Sequence, residues 1–158
     1  MNHWLAKTEP GSYSIDDLKR DKKTGWSGIR NYQARNYMRD AMKPGDLVLF
    51  YHSNAEPPGI AGIARVASKA YPDDTAFDPK DDHYDPKSTK EKPVWMMVDL
   101  QFVEKFGRLV SLDELRRHPR LGKMLVLKRG MRLSIQPVEA DHFDIIRDLG
   151  RDSRPSGG

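Results

Sequence analysis

Apolar residues in this chain fall into short runs and brief periodic stretches, parted by clusters of Gly, Pro, Asp and Lys, a pattern that predicts many small elements. Residues 4–8 read as a first strand, closed by Glu9-Pro10-Gly11. Ser14 with Asp17 three residues on is a capping arrangement for a brief helix carrying Ile15 and Leu18. Asn31 is placed to cap a second helix, in which Ala34, Met38, Ala41 and Met42 recur at three- and four-residue spacing as a buried stripe. Arg35 and Arg39, four apart, share another face of it with Tyr32. Leu47-Val48-Leu49-Phe50-Tyr51 is a continuous apolar run of strand length, expected at the centre of a sheet. After the turn Glu56-Pro57-Pro58-Gly59, residues 60–67 read as its antiparallel partner.

The second half continues in the same manner. Residues 94–106 form the longest strand candidate, with Met96, Val98, Leu100 and Phe102 on the better core face and Trp95, Met97, Asp99 and Gln101 opposite. Ser111-Leu112-Asp113-Glu114 is a capping box for a short helix that Pro119 ends. Residues 131–138 alternate, so Met131, Leu133 and Ile135 share one side and Arg132, Ser134 and Gln136 the other. A last helix over residues 141–149 would bury Phe143, Ile146 and Leu149 and stop at Gly150, leaving residues 151–158 as a disordered tail. Five or six strands with large antiparallel content and short interspersed helices predict an α+β fold: a small, strongly curved sheet or barrel in one domain spanning residues 1–150.

Residues 71–92 interrupt the pattern with a long segment dense in Asp, Pro and Lys that embeds Tyr71, Phe77, His83 and Tyr84. A loop of this length inside a compact domain is functional or disordered, and its aromatics argue against plain disorder. Asp73, Asp74, Asp78, Asp81, Asp82 and Asp85 lack the alternating ligand spacing of a calcium loop and read as solvated turn chemistry.

Composition narrows the chemistry. The 158 residues carry 27 Lys and Arg against 23 Asp and Glu, a net charge of +4 that mildly favours anionic partners. With no cysteine, thiol nucleophiles, disulfides and thiolate metal sites are excluded. His3, His52, His83, His118 and His142 form no short-spaced ligand pair, so neither a metal nor any other cofactor is assigned. A glycine-rich phosphate loop is also missing. The N-terminus lacks a long apolar run, so the expectation is a soluble protein without signal peptide or membrane span, cytoplasmic, or nuclear in a eukaryote, and most simply a monomer.

Against this background one stretch stands apart. Gly25-Trp26-Ser27-Gly28-Ile29-Arg30 sets a glycine-flanked tryptophan directly before the Arg/Asn-rich helix. Such glycines suit a loop in which a large ring faces a ligand, and the arginines and amides that follow supply donors for phosphates or base edges. The competing reading makes Trp26 a packing residue, as most tryptophans in a domain of this size are.

Trp4 with Lys7 and Pro10, the segments Trp26-Ser27-Gly28-Ile29-Arg30-Asn31 and Gln33-Ala34-Arg35-Asn36, Phe50-Tyr51-His52-Ser53-Asn54, and Arg132-Leu133-Ser134-Ile135-Gln136-Pro137-Val138 together resemble the EVE domain over residues 2–149. The resemblance implies a PUA-like curved β-barrel related to the YTH domain, and so a non-catalytic reader of a modified nucleobase in DNA or RNA. Methylated or hydroxymethylated cytosine and methylated adenine are the expected ligands. By the same likeness Trp26 becomes a cage residue. A second cage aromatic would fall after the hairpin, where Phe77 and Tyr84 are on offer, with Tyr51 and Trp95 as alternatives for which packing is the competing role.

A base drawn into such a pocket gains by stacking but needs donors and acceptors at its edge to be chosen. Ser53 and Asn54, at the end of a central strand, are candidates for that role, as are Asn31 and Ser134; an ordinary turn is the competing reading for Ser53-Asn54. Lys7, Arg30, Arg35 and Arg129 are candidates for the flanking phosphates. Two rivals remain. One is an enzyme of nucleic-acid or nucleoside processing akin to ASCH-type proteins, for which His52 beside Ser53 would be base and nucleophile, although adjacent strand residues face opposite ways. The other is a protein-interaction module.

Overall fold

The computed structural model describes residues 1–152. Its strands are β1 (His3–Thr8), β2 (Lys23–Gly25), β3 (Leu47–His52), β4 (Gly59–Val66), β5 (Tyr71–Pro72), β6 (Met96–Met97), β7 (Asp99–Ser111) and β8 (Ile135–Val138). Its helices are α1 (Ile15–Asp21), α2 (Tyr32–Asn36), α3 (Leu112–Arg117) and α4 (Ala140–Arg151). Six strands make one mixed sheet in the order β2-β7-β4-β3-β1-β8, curled into a half-barrel, and β5 pairs with β6 apart from it. Only the β1–β3 pair of the large sheet is parallel. Register shifts within β3–β4 and β4–β7 bend the strands, the usual means of curving a sheet.

The apolar run in β3 is continuous because the strand is buried on both faces. Val48 and Phe50 join Trp4 and Ala6 of β1 in one core, with Ile15, Leu18, Ala34 and Met38 from the helices. Leu49 and Tyr51 join Leu5 in a second core, with Leu115, Phe143 and Ile146. Period-two alternation thus distributes neighbouring residues between two cores rather than between core and water.

Local signals place the helices as expected. Ser14 and Asp17 form a reciprocal capping box, and Asn31 Oδ1 accepts from the Ala34 N–H at 3.0 Å. Beyond α2 the chain widens into a π turn over Tyr37–Ala41, closed by the Met42 N–H on Tyr37 O, which keeps Met38 and Met42 in the core.

Several expectations need correction. Residues 94–106 are not one strand: pairing breaks at Val98, and β7 runs on to Ser111. Trp95 and Met97 are buried as well as Val98 and Leu100: Tyr32, Arg30 and Asp85 pack around the Trp95 ring, and the Met97 side chain lies against Gly25. Of residues 131–138 only Ile135–Val138 pair as strand, and Gln136 is buried, its Nε2 donating to Leu133 O. Helix α4 continues through Gly150, which serves close approach rather than termination: a Cβ there would stand 2.2 Å from the Phe106 ring. Arg151 is therefore helical and Asp152 caps the helix through its N–H, while residues 153–158 of the expected tail lie outside the described residues. At α3 only half of the capping box forms, since the Glu114 carboxylate instead accepts from both terminal nitrogens of the Arg108 guanidinium, at 2.6 and 2.7 Å.

Candidate functional site

A cleft of about 520 Å³ opens at the carboxyl end of β1. Five separate parts of the chain meet there. Lys7 and Thr8 come from β1, Ser12 and Tyr13 from the turn before α1, residues 24–29 from β2 and the loop after it, and Ser134 from the approach to β8; His83 leans in from the long segment over residues 71–92. Sheet order explains the convergence: β8 lies beside β1, and the Lys7 N–H bonds Ser134 O at 2.8 Å.

Trp26 is both a wall of this cleft and a member of the first core, so packing does not remove it from the cleft. It is 8% exposed, and its ring is fixed by edge-on contacts with Phe50 at 5.5 Å and Tyr13 at 6.2 Å. Its backbone N–H is held by Val98 O at 2.8 Å. Gly28 follows with φ +82°, where the His83 ring lies so near that any Cβ would come within 2.9 Å of it.

Lys7 is the cation of the cleft. Its Nζ donates to Met131 O at 3.3 Å and lies 5.9 Å from the centre of the Tyr51 ring, and partial burial pushes its pKa down. An ammonium has three donors, so it can serve a ligand while keeping that carbonyl. Thr8 Oγ1 donates to Tyr13 O at 2.9 Å, and the Tyr13 hydroxyl donates to Asp21; burial first, then the Asp21 hydrogen bond, raises the Tyr13 pKa and keeps it a neutral donor.

The long segment is strapped across the rim by one buried carboxylate. Asp73 accepts from the Gly28 N–H at 2.8 Å, from Arg30 Nη1 at 3.0 Å and from the Thr75 N–H and hydroxyl at 2.9 and 2.6 Å. Burial alone would raise its pKa, but the Thr75, Gly28 and Arg30 hydrogen bonds outweigh it and hold the carboxyl below its ordinary range. Asp73 is therefore no solvated turn residue, whereas Asp78, Asp81 and Asp85 do cap their own turns through backbone N–H groups two residues on. Arg30 extends the clamp with two bonds to His83 O, at 3.0 and 2.7 Å.

Of the residues singled out from sequence, Trp26, Lys7 and Ser134 line the cleft. The others stand outside its lining, each for a visible reason. Asn31 spends its side-chain oxygen on the cap of α2, and Arg30 is committed to Asp73 and the strap. Tyr51 is buried in the second core. Trp95 packs beneath the strap with its Nε1 donating to Asp85 at 2.7 Å. The Ser53 N–H bonds Thr8 O, and Asn54 sits exposed with φ +49° and its amide on Glu9. Tyr84 lines a different hollow with Phe77 and Pro86. Arg35 binds Val94 O and Asn36, and Arg129 is exposed on the turn before Met131. Sequence reasoning missed Tyr13, Thr8, Ser12 and His83; an aromatic just ahead of a capping box and a histidine in an aromatic-bearing loop were the only signals.

His52 does not support the nucleophile-and-base pair. Its Nε2 accepts the Ile15 N–H at 3.1 Å, anchoring the start of α1, and burial lowers its pKa, so the ring is a neutral acceptor already in use. Among the described residues no group of three or more His, Asp or Glu is placed to hold a metal ion, and no helix is long and apolar enough to cross a membrane.

Comparison with known proteins fits this architecture. The family model described as EVE domain matches residues 2–149. Thymocyte nuclear protein 1 of Gallus gallus is 46% identical over 166 residues, covering 93% of this chain and 68% of that protein. The crystal structure of human THYN1 in complex with 5-methylcytosine-containing DNA superposes with a TM-score of 0.90 at 41% identity, over 98% of this chain and 100% of that one. The YTH domain of Zygosaccharomyces rouxii MRB1, in complex with N6-methyladenosine RNA, superposes with a TM-score of 0.59 at 14% identity over 99% of this chain and 88% of that one, a likeness of fold alone. A curled mixed sheet, a tryptophan-walled cleft at the end of β1 and a family match across nearly the whole described chain lead to one assignment: this chain belongs to the EVE domain family.

Proposed function

We propose that this protein reads a modified nucleobase, 5-methylcytosine before others, by taking the extruded base into the Trp26 cleft and leaving it chemically unchanged. The observation that carries the reading is the rigid Trp26 ring standing in one cleft with Lys7, Thr8 and Ser134, in a chain 41% identical to a human protein crystallised with 5-methylcytosine-containing DNA. A volume of about 520 Å³ falls in the range of small-molecule sites. DNA or RNA carrying such a base is the partner, in the cytoplasm, or in the nucleus of a eukaryote, as the name of the chicken relative suggests.

The energetics support a reader. Extruding a nucleotide costs a few kcal/mol, and stacking on an aromatic ring offsets about 1–3 kcal/mol of it. Because Trp26 is already fixed by Phe50 and Tyr13, little ordering entropy is lost when a base stacks on it. The Lys7 ammonium and the Thr8, Ser12 and Ser134 hydroxyls then meet the polar edge of the base, where an unmatched partner would leave a buried donor unpaired. A methyl group filling the apolar side of the cleft adds about 0.8 kcal/mol, so selectivity for the modification is modest unless the fit is tight.

Fluorescence-detected binding tests the reading, using matched DNA and RNA oligonucleotides with plain cytosine, 5-methylcytosine, 5-hydroxymethylcytosine or N6-methyladenine at two salt concentrations. Salt-resistant preference for one modified base, recovered intact by mass spectrometry, is the expected result. Equal, salt-sensitive binding to all of them would leave only the basic surface at work and overturn the reading.

A further inference from the structure

Tyr32, at the start of α2, is the most exposed aromatic side chain among the described residues, with 60% of its surface open. An aromatic ring left in water contributes little to stability, yet this one rests on a buried support. The Trp95 ring lies beneath it at 4.9 Å and 32°, is itself 5% exposed, and is locked by its bond to Asp85 at 2.7 Å. The Arg35 guanidinium lies over the Tyr32 ring, 4.9 Å from its centre, so a base takes that face only as this long, part-exposed side chain turns outward. Its hydrogen bonds go to neutral acceptors, Val94 O and Asn36 Oδ1, which leave the positive charge in place; Asp40 feels that charge but is bonded to Arg39.

This assembly begins where the cleft ends. Gly28 and Ile29 line the cleft, Arg30 binds Ile29 O through Nη1, and the Arg30 guanidinium lies 5.5 Å from the centre of the Trp95 ring that supports Tyr32. A ligand leaving the cleft over Ile29 meets an aromatic surface and a cation next. We infer that Tyr32 and Arg35 form a second nucleotide site, which takes the unpaired nucleotide adjoining the base in the cleft, Tyr32 stacking on its base and Arg35 binding its phosphate. A nucleotide is the occupant that matches both halves, a π face for the ring and a negative charge for the guanidinium. An acidic peptide would satisfy only the second. The inference rests on the base-reading proposed for the cleft, and its test keeps the two apart.

The test uses the whole protein, Tyr32→Ala and Tyr32→Phe against three ligands: 5-methyl-dCMP, trinucleotides with central 5-methylcytosine and ordinary flanks, and the same trinucleotides with abasic flanks, in DNA and RNA forms. The wild type should bind ordinary flanks about tenfold more tightly than abasic ones, the scale of one stacked base. Tyr32→Phe should keep that ratio, and Tyr32→Ala should bring it near one while leaving 5-methyl-dCMP affinity unchanged. A ratio unchanged in Tyr32→Ala, or already near one in the wild type, overturns the second site, as does a parallel loss of 5-methyl-dCMP binding, which would make Tyr32 a support of the cleft. If the modified base gives no advantage anywhere, the reading of the cleft fails instead, and the flank ratio on plain trinucleotides still decides Tyr32.

Discussion

On one face of the sheet α3 and α4 pack Leu115, Phe143 and Ile146 against Leu5, Leu49 and Ile63, an almost wholly apolar layer. On the other face loops outnumber helices, and three carboxylates hold them. Asp46 takes Trp4 Nε1 at 3.0 Å with the backbone N–H groups of Asn2 and Lys43; Asp85 takes Trp95 Nε1; Asp73 gathers Gly28, Arg30 and Thr75. Helices satisfy their own backbones and need only an apolar stripe to dock. Loops leave N–H groups unpaired, and a buried carboxylate can collect several of them at one point. The face that forms the cleft is therefore held by polar interactions, and its rim answers to pH and to single charge removals in a way the helical face does not.

The largest effect belongs to the helical face. Phe143→Ala should cost about 3–5 kcal/mol of unfolding free energy while leaving oligonucleotide affinity of the folded fraction unchanged. A denaturant titration and a binding curve below the transition check both halves, and any loss of affinity would break the division of labour. Next comes Asp73→Ala, which strips Arg30 and the Gly28 N–H of their shared acceptor and should cost about 3 kcal/mol, with faster hydrogen exchange across residues 73–85. Exchange unchanged there would mean that the strap is held by other contacts.

Trp26→Phe sharpens the comparison, because it keeps an aromatic in the core while shrinking the stacking surface. A stability loss of about 1 kcal/mol with binding of modified oligonucleotide weakened tenfold or more is expected, and stability lost without affinity would make Trp26 a core residue alone. Acid separates the faces further. Since the folded pKa of Asp73 lies below the ordinary 3.8, its clamp contributes stability in full above that value and loses it as pH falls through the lowered one. Thermal melts between pH 7 and 2 should show wild type and Asp73→Ala converging at the acid end; a constant gap would deny the linkage. The smallest effect is expected for Asn54→Ala, which removes only a 3.4 Å bond to Glu9 and should leave base preference as it was in the same binding assay.

How much of this was legible beforehand varies with the range of the interaction. Ser14 with Asp17, Asn31 with Ala34 and the β3 run follow from neighbours a few residues apart, and all formed as read. Trp26 was singled out through its flanking glycines, yet its double membership in core and cleft depends on Phe50 and Tyr13, which no local pattern connects to it. Asn54 and Ser53 are polar residues at a strand end beside that of β1, with the Ser53 N–H on Thr8 O. The cleft, however, is lined from β1, the turn before α1, the β2 loop and the approach to β8, which leaves both outside it. Arg30 looked like a phosphate ligand because the sequence does not reveal the buried carboxylate 43 residues away that engages it.

By itself, then, the sequence determined most of the larger elements, the caps at Ser14 and Asn31 and the apolar centre of the sheet at β3. These rest on periods of two and 3.6 residues and on caps that act within one turn. Only the tertiary structure decided that Lys7 and Ser134 meet, that Asp73 clamps Gly28, that His83 closes on the rim and that Tyr32 rests on Trp95. The reason is physical: those contacts are set by strand order, by the curl that register shifts impose and by one strap laid across a loop, and none of these leaves a periodic trace in the chain.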